Sequence, residues 1–263
     1  GEFLCAGYPS PLFSTHCRVE QLVSAAGRCF ARAGAPEDDP VVLDTTDGVP
    51  YSATGRFVAE VYADGQNRLR LAREGDLGAL SVIENYLRTA TARALLKVGG
   101  IMLHSGGFVY QGRAYIFVGE SGAGKTTLTR IAHAGGADIL SDDINVLMPV
   151  SGGFDVVPVP FAGDFGRVAQ AAAPRSSPSP LGGLFCLRKA PEAGIVDISP
   201  SRQLAKLVAA APFVNNHAST VVTVMRVAQS VRDRVPLRHL FFRRDEEFGV
   251  IAELISGEHS HAA

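Results

Sequence analysis

The residues Gly119, Glu120, Ser121, Gly122, Ala123, Gly124, Lys125 and Thr126 form a complete Walker A pattern, and this constrains the chain more than any other feature. The apolar run 114–118 precedes them, and Thr127-Leu128-Thr129-Arg130-Ile131-Ala132 follows with the look of a helix. A strand that ends in a glycine-rich turn and opens a helix requires an α/β fold with the loop at one end of a sheet. Glycines let backbone N–H groups turn inward on an anion, and the helix N-terminus adds its partial positive charge. The pattern predicts binding of ATP as a Mg²⁺ complex, with residues 119–127 (ending at Thr127) around the phosphates. Lys125 would reach the outer phosphates and the Thr126 hydroxyl would sit on the metal.

With 263 residues, 46% of them hydrophobic, the chain is long enough for a full α/β core. A net charge of −1 gives no basic field for nucleic acid. Cys5, Cys17, Cys29 and Cys186 are scattered without a C-x-x-C pair, which suits reduced thiols rather than a disulfide frame. No apolar run reaches the length of a membrane span and no signal peptide is visible, so the expectation is a cytoplasmic protein without membrane contact.

Residues 19–33 read as a helix and residues 40–74 as a small antiparallel lobe, with Asp64-Gly65 as its strongest hairpin signal. Leu80, Ile83, Leu87, Ala90, Ala94 and Val98 recur at helical spacing. Strands are expected at 101–104, 107–110, 115–118, 137–140, 144–150, 184–187 and 237–243. Helices are expected after Lys125 and at 201–211, 214–232 and 246–255. The stretch 151–183 is rich in Gly, Pro and Ser and reads as loop, including 175–180.

Asp142 and Asp143 follow Lys125 by 17 and 18 residues, at the end of the strand after the loop's helix. This spacing brings two carboxylates beside the phosphate site, one able to hold Mg²⁺ and the other to take a proton from a hydroxyl. The plainer alternative is a solvated Asx turn closing the strand. His104 ends a predicted strand before Ser105-Gly106-Gly107, a position near the phosphate-bearing end of the sheet.

His104-Ser105-Gly106-Gly107, the loop 119–126 and Ser141-Asp142-Asp143 together resemble HPr kinase/phosphorylase, and more closely its shorter bacterial relatives. The resemblance is specific over residues 99–148 and looser through 160–166, 184–187 and 240–245. It implies an α/β fold with a mixed-sheet P-loop core of the HPr kinase/phosphoenolpyruvate carboxykinase type. That core would occupy residues 76–263, and residues 1–75 would form a small N-terminal α+β lobe. It also implies His104, Lys125, Asp142 and Asp143 as catalytic residues. The acidic pair would supply a general base and a metal contact; which does which stays open, with Thr126 and Asp143 the expected metal contacts. Two departures stand out: the loop runs Lys125-Thr126-Thr127 where the family has Lys-Ser-Glu, and the signature carrying a Mg²⁺-binding Glu is not recognisable. Asp164 is a candidate replacement for that Glu, or an ordinary turn residue.

The leading functional expectation is an ATP-dependent kinase acting on a Ser hydroxyl of a protein or peptide. A small-molecule hydroxyl kinase and an ATP-binding regulatory module with little turnover are the alternatives. The module needs the loop but not the acidic pair beside it. Family members form oligomers, and Val221, Val222 and Val224 offer either an interface for a homo-oligomer or a buried core face.

Overall fold

The computed structural model describes residues 2–5, 8–14, 41–44, 51–53, 57–61, 66–71, 88, 91–159, 161, 163, 165, 177–215 and 218–257. The chain divides into two compact units, Gly1–Ala94 and Leu95–Ala263. The division falls inside the predicted helix around residues 80–98 rather than at 75/76.

In the first unit, β1 (Glu2–Cys5) and β2 (Tyr8–Ser14) pair antiparallel. Prolines at 9 and 11 hide β2 in the sequence, because proline lacks the N–H that a ladder uses and survives only at edges. The strands β3 (Val41–Asp44), β4 (Tyr51–Ala53), β5 (Phe57–Val61) and β6 (Gln66–Leu71) form an antiparallel sheet in the order β3-β6-β5-β4. The Asp64-Gly65 signal sits between β5 and β6, which pair directly. The predicted helix at 19–33 lies outside the described residues.

The second unit is a mixed α/β structure. Its strands are β7 (Ile101–Tyr110), β8 (Arg113–Val118), β9 (Asp138–Ser141), β10 (Ile144–Val150), β11 (Gly153–Val157), β12 (Ser179–Lys189), β13 (Gly194–Asp197) and β14 (Leu237–Phe242). Its helices are α1 (Lys125–Ala134), α2 (Pro200–Ala209), α3 (Ala218–Arg234) and α4 (Phe248–Ser256). β8, β12 and β14 run parallel side by side, while β7 and β13 flank them antiparallel. The expected mixed sheet is therefore present, and the short β7–β8 turn makes an antiparallel pair as short connections must.

Several expectations are corrected here. Residues 101–110 form one strand, not two separated by a glycine turn. Gly107 serves close packing instead: a Cβ there would lie 2.7 Å from Ile116 Cδ1 and 2.8 Å from Asn145 Oδ1. The stretch 151–183 contains β11 and the start of β12, whose Ser179 and Pro180 pair with Val156 and Asp155. The alternation of buried Phe154 and Val156 was a period-two signal too short to stand out among the glycines. β13 was also missed in the sequence.

Aromatic residues hold the parallel strands to α1 and α4. Phe117 and Phe185 are register partners on β8 and β12 with ring centroids 5.6 Å apart, and Phe108 stacks on Phe117 at 4.9 Å. Leu128 and Ala132 of α1 and Ile251 and Ile255 of α4 complete this buried cluster. Val224 of α3 is buried, whereas Val222 is 63% exposed, so the valine run divides between core and solvent.

Candidate functional site

Five consecutive buried residues, 114–118, fix β8 in the sheet and deliver Gly119 to its end. The loop then turns through Gly122 (φ 78°) and Gly124 (φ 107°), in the left-handed region that glycine enters without steric cost. Gly124 also passes under Phe242, where an added Cβ would lie 2.8 Å from the ring. α1 begins at the next residue. Gly124 caps it without a side chain, and no acidic residue stands in its first turn. The first N–H groups of α1 thus have no side-chain acceptor on the cap residue or in an acidic first turn.

Lys125 is buried, and its ammonium turns back onto the loop, donating to the carbonyl oxygens of Gly119 (2.8 Å) and Glu120 (3.3 Å). Burial pushes its pKa down, and the negative charge of Asp143 opposes that shift. Thr126 Oγ1 donates to Oδ2 of Asp142 at 3.4 Å, so Asp142, rather than Asp143, lies against the loop's hydroxyl. Asp143 pairs with a different side chain: its Oδ1 is 3.6 Å from Nε2 of His104, whose side chain is half exposed. The structure therefore brings together all four sequence-predicted side chains, His104, Lys125, Asp142 and Asp143.

The acidic turn is held from three sides. The Ser141 hydroxyl accepts from the backbone N–H of Asp143 and of Ile144, both at 3.1 Å, and donates to the Phe161 carbonyl at 3.2 Å. Ser105 N–H donates to the Asp143 carbonyl at 2.9 Å, and His104 N–H to that of Ala210 at 2.7 Å. Buried Asn145 donates to both the carbonyl and the hydroxyl of Ser105, locking β10 to β7 where the two carboxylates emerge.

Sequence reasoning missed Ser141 as the residue that shapes this turn. The signal was present, since a Ser two residues before an acidic turn satisfies backbone donors in the manner of an ST turn. It also missed Gly163, where an added Cβ would sit 2.5 Å from Oδ1 of Asp142. The neighbouring Phe165 packs on α1, beneath the Arg130 guanidinium at 5.4 Å. Asp164 lies outside the described residues.

A cavity of about 400 Å³ adjoins the loop, lined by residues 118–123, Cys186, Leu187, Arg188, Lys189, Lys206, Ala209 and Ala210. Outside that lining, Nδ1 of His239 is 3.3 Å from the Cys186 carbonyl oxygen. Burial lowers the His239 pKa, the Cys186 contact raises it, and the charges of Lys206, Arg188 and Arg202 lower it further.

These features define a class: a mixed α/β protein in which a glycine-rich turn carries a parallel strand into a helix beside a paired carboxylate. The chain belongs to the ScmC family, since the family model for SynChlorMet cassette protein ScmC matches residues 73–242. It is thus the ScmC model, rather than that of the HPr kinases themselves, that places the chain in a family. Among solved structures, the Hpr(Ser) kinase/phosphatase from Coxiella burnetii aligns over 60% of this chain and 95% of that chain, at 12% identity and a TM-score of 0.34. No curated protein matches the chain. No described helix is long and apolar enough to cross a membrane.

Proposed function

We propose that this protein is an ATP-dependent kinase that transfers the terminal phosphoryl group to a Ser hydroxyl of a protein or peptide. The observation that carries this reading is the divided acidic pair. Asp142 contacts Thr126 at 3.4 Å, and Asp143 pairs with His104 at 3.6 Å. A module that only bound nucleotide would need the loop, not a second carboxylate paired with a histidine.

The residues fit the groups the reading requires. Lys125 already donates to two loop carbonyl oxygens, contacts it can exchange for phosphate oxygens, and the uncapped start of α1 offers backbone donors. A hydroxyl and a carboxylate, Thr126 and Asp142, are the hard oxygen donors Mg²⁺ takes alongside phosphates and water. Mg-ATP supplies the phosphoryl group and neutralises part of its charge. Lys125 holds the outer phosphates, and His104 fixes the orientation of Asp143. Asp143 accepts the proton of the acceptor hydroxyl as that oxygen bonds to phosphorus and the bond to the ADP oxygen breaks.

The test is transfer of ³²P from γ-labelled ATP, with Mg²⁺, to a panel of Ser-containing peptides and to small alcohols. Labelled peptide from the parent, lost in Asp143→Asn, is the expected result. Labelled alcohol without labelled peptide would make the protein a small-molecule kinase. Tight ATP binding with no acceptor labelled would make it a regulatory module.

A further inference from the structure

The second unit carries another, larger cavity, about 600 Å³, at the end of the parallel strands opposite the loop 119–126. Arg113, which lines it, is the first residue of β8, whereas the loop leaves the last. At about 3.3 Å per residue the two sites stand on the order of 20 Å apart.

The cavity follows from a change of partner along β12. Ser179 and Pro180 pair with β11, and the ladder to β14 starts only at Leu184. Over Leu181, Gly182 and Gly183 the described strands give β12 a ladder partner on one edge only, β8, and that register slips between Leu181 and Gly183. All three residues line the cavity, facing the chain that leads from α3 into β14. A strand segment with one open edge presents main-chain donors and acceptors to whatever enters.

Around this opening stand three guanidinium groups, those of Arg113, Arg234 and Arg238, against one lining carboxylate, Asp155. Arg234 lies over the Phe154 ring at 5.7 Å and donates to the Ser230 hydroxyl at 2.6 Å, which fixes its head at the rim. Arg238 pairs at 3.4 Å with Asp197, whose side chain is 90% exposed, so water screens that pair strongly.

We propose that this cavity binds an extended peptide segment bearing carboxylate side chains. The open edge of residues 181–183 takes the peptide main chain as an added strand, and the arginines take its acidic side chains. A free polycarboxylate would use the arginines alone, and a neutral peptide the edge alone. The proposal does not depend on the kinase reading, because it uses none of the residues around Lys125.

Fluorescence anisotropy with the full chain and a labelled Glu-Val-Glu-Val-Glu peptide tests it. The acidic peptide should bind, a Lys-Val-Lys-Val-Lys peptide should not, and saturating Mg-ATP should leave the affinity unchanged. Arg113→Ala and Arg234→Ala should each weaken binding about tenfold, the scale of one charge-assisted hydrogen bond, with circular dichroism as the check on folding. The same acidic peptide N-methylated at all four of its backbone amides should also bind about tenfold more weakly, because the strand donors on both of its edges are gone. Equal affinity for the methylated peptide, or full competition by citrate at equal carboxylate concentration, would reduce the site to an anion patch and overturn the proposal. So would the absence of binding, or binding unchanged in both arginine variants.

Discussion

Thr126 Oγ1 and Asp142 Oδ2 lie 3.4 Å apart, tying the first turn of α1 to the turn between β9 and β10. Asp143, the next residue, has its Oδ1 3.6 Å from Nε2 of His104 on β7. Two adjacent carboxylates thus have different partners, a loop hydroxyl and a histidine. That difference gives each a separable role.

Lys125→Ala should weaken Mg-ATP binding about 10- to 100-fold, the worth of one charge-assisted hydrogen bond to phosphate. Titration calorimetry at fixed Mg²⁺ checks this. An affinity equal to the parent's would remove the loop from the nucleotide site.

Asp142→Asn and Asp143→Asn should separate. Loss of the Asp142 charge beside Thr126 should raise the Mg²⁺ concentration needed for ATP binding. Loss of the Asp143 carboxylate should leave binding near the parent value and lower phosphoryl transfer by about 10²–10⁴. Binding titrations run beside ³²P transfer decide it, and identical behaviour of the two variants would contradict the division of roles.

Gly163→Ala would place a Cβ 2.5 Å from Asp142 Oδ1. The carboxylate is the movable party, so the fold should survive while Asp142 swings away from Thr126. The expected signature is a weakened Mg²⁺ dependence of ATP binding, resembling that of Asp142→Asn, with a melting temperature close to the parent's. A large drop in melting temperature with unchanged Mg²⁺ response would mean that the backbone moved instead.

His239 gives a pH dependence of stability. Burial holds its folded-state pKa below the ordinary imidazole value of 6.5, the Cys186 carbonyl opposes this, and Lys206, Arg188 and Arg202 add to the lowering. Between the folded and unfolded values the unfolded chain binds more protons, so stability falls as pH drops below 6.5. His239→Gln should flatten that decline in melting temperatures recorded from about pH 7.5 down to about pH 5. An unchanged slope would show that other groups carry it.

The sequence by itself determined the local elements whose cause is local. A buried run ahead of Gly119, glycines where φ must be positive, and the apolar spacing of α1 announce the strand, loop and helix without reference to the rest of the chain. The spacing of Asp142 and Asp143 likewise announced two carboxylates at a strand end. Only the tertiary structure decided which carboxylate faces Thr126, because that depends on Ser141 bonding across to Phe161 and on Gly163 pressing against Asp142. It also decided that Ser105-Gly106-Gly107 continues a strand, since Gly107 answers to Ile116 and Asn145 from other strands and Gly106 to Thr129 and Lys125 of α1, rather than to their own neighbours. The partner change along β12 was invisible for the same reason: a strand's edge is defined by what lies beside it, and the start of β12 shows its pairing only once β8, β11 and β14 are in place.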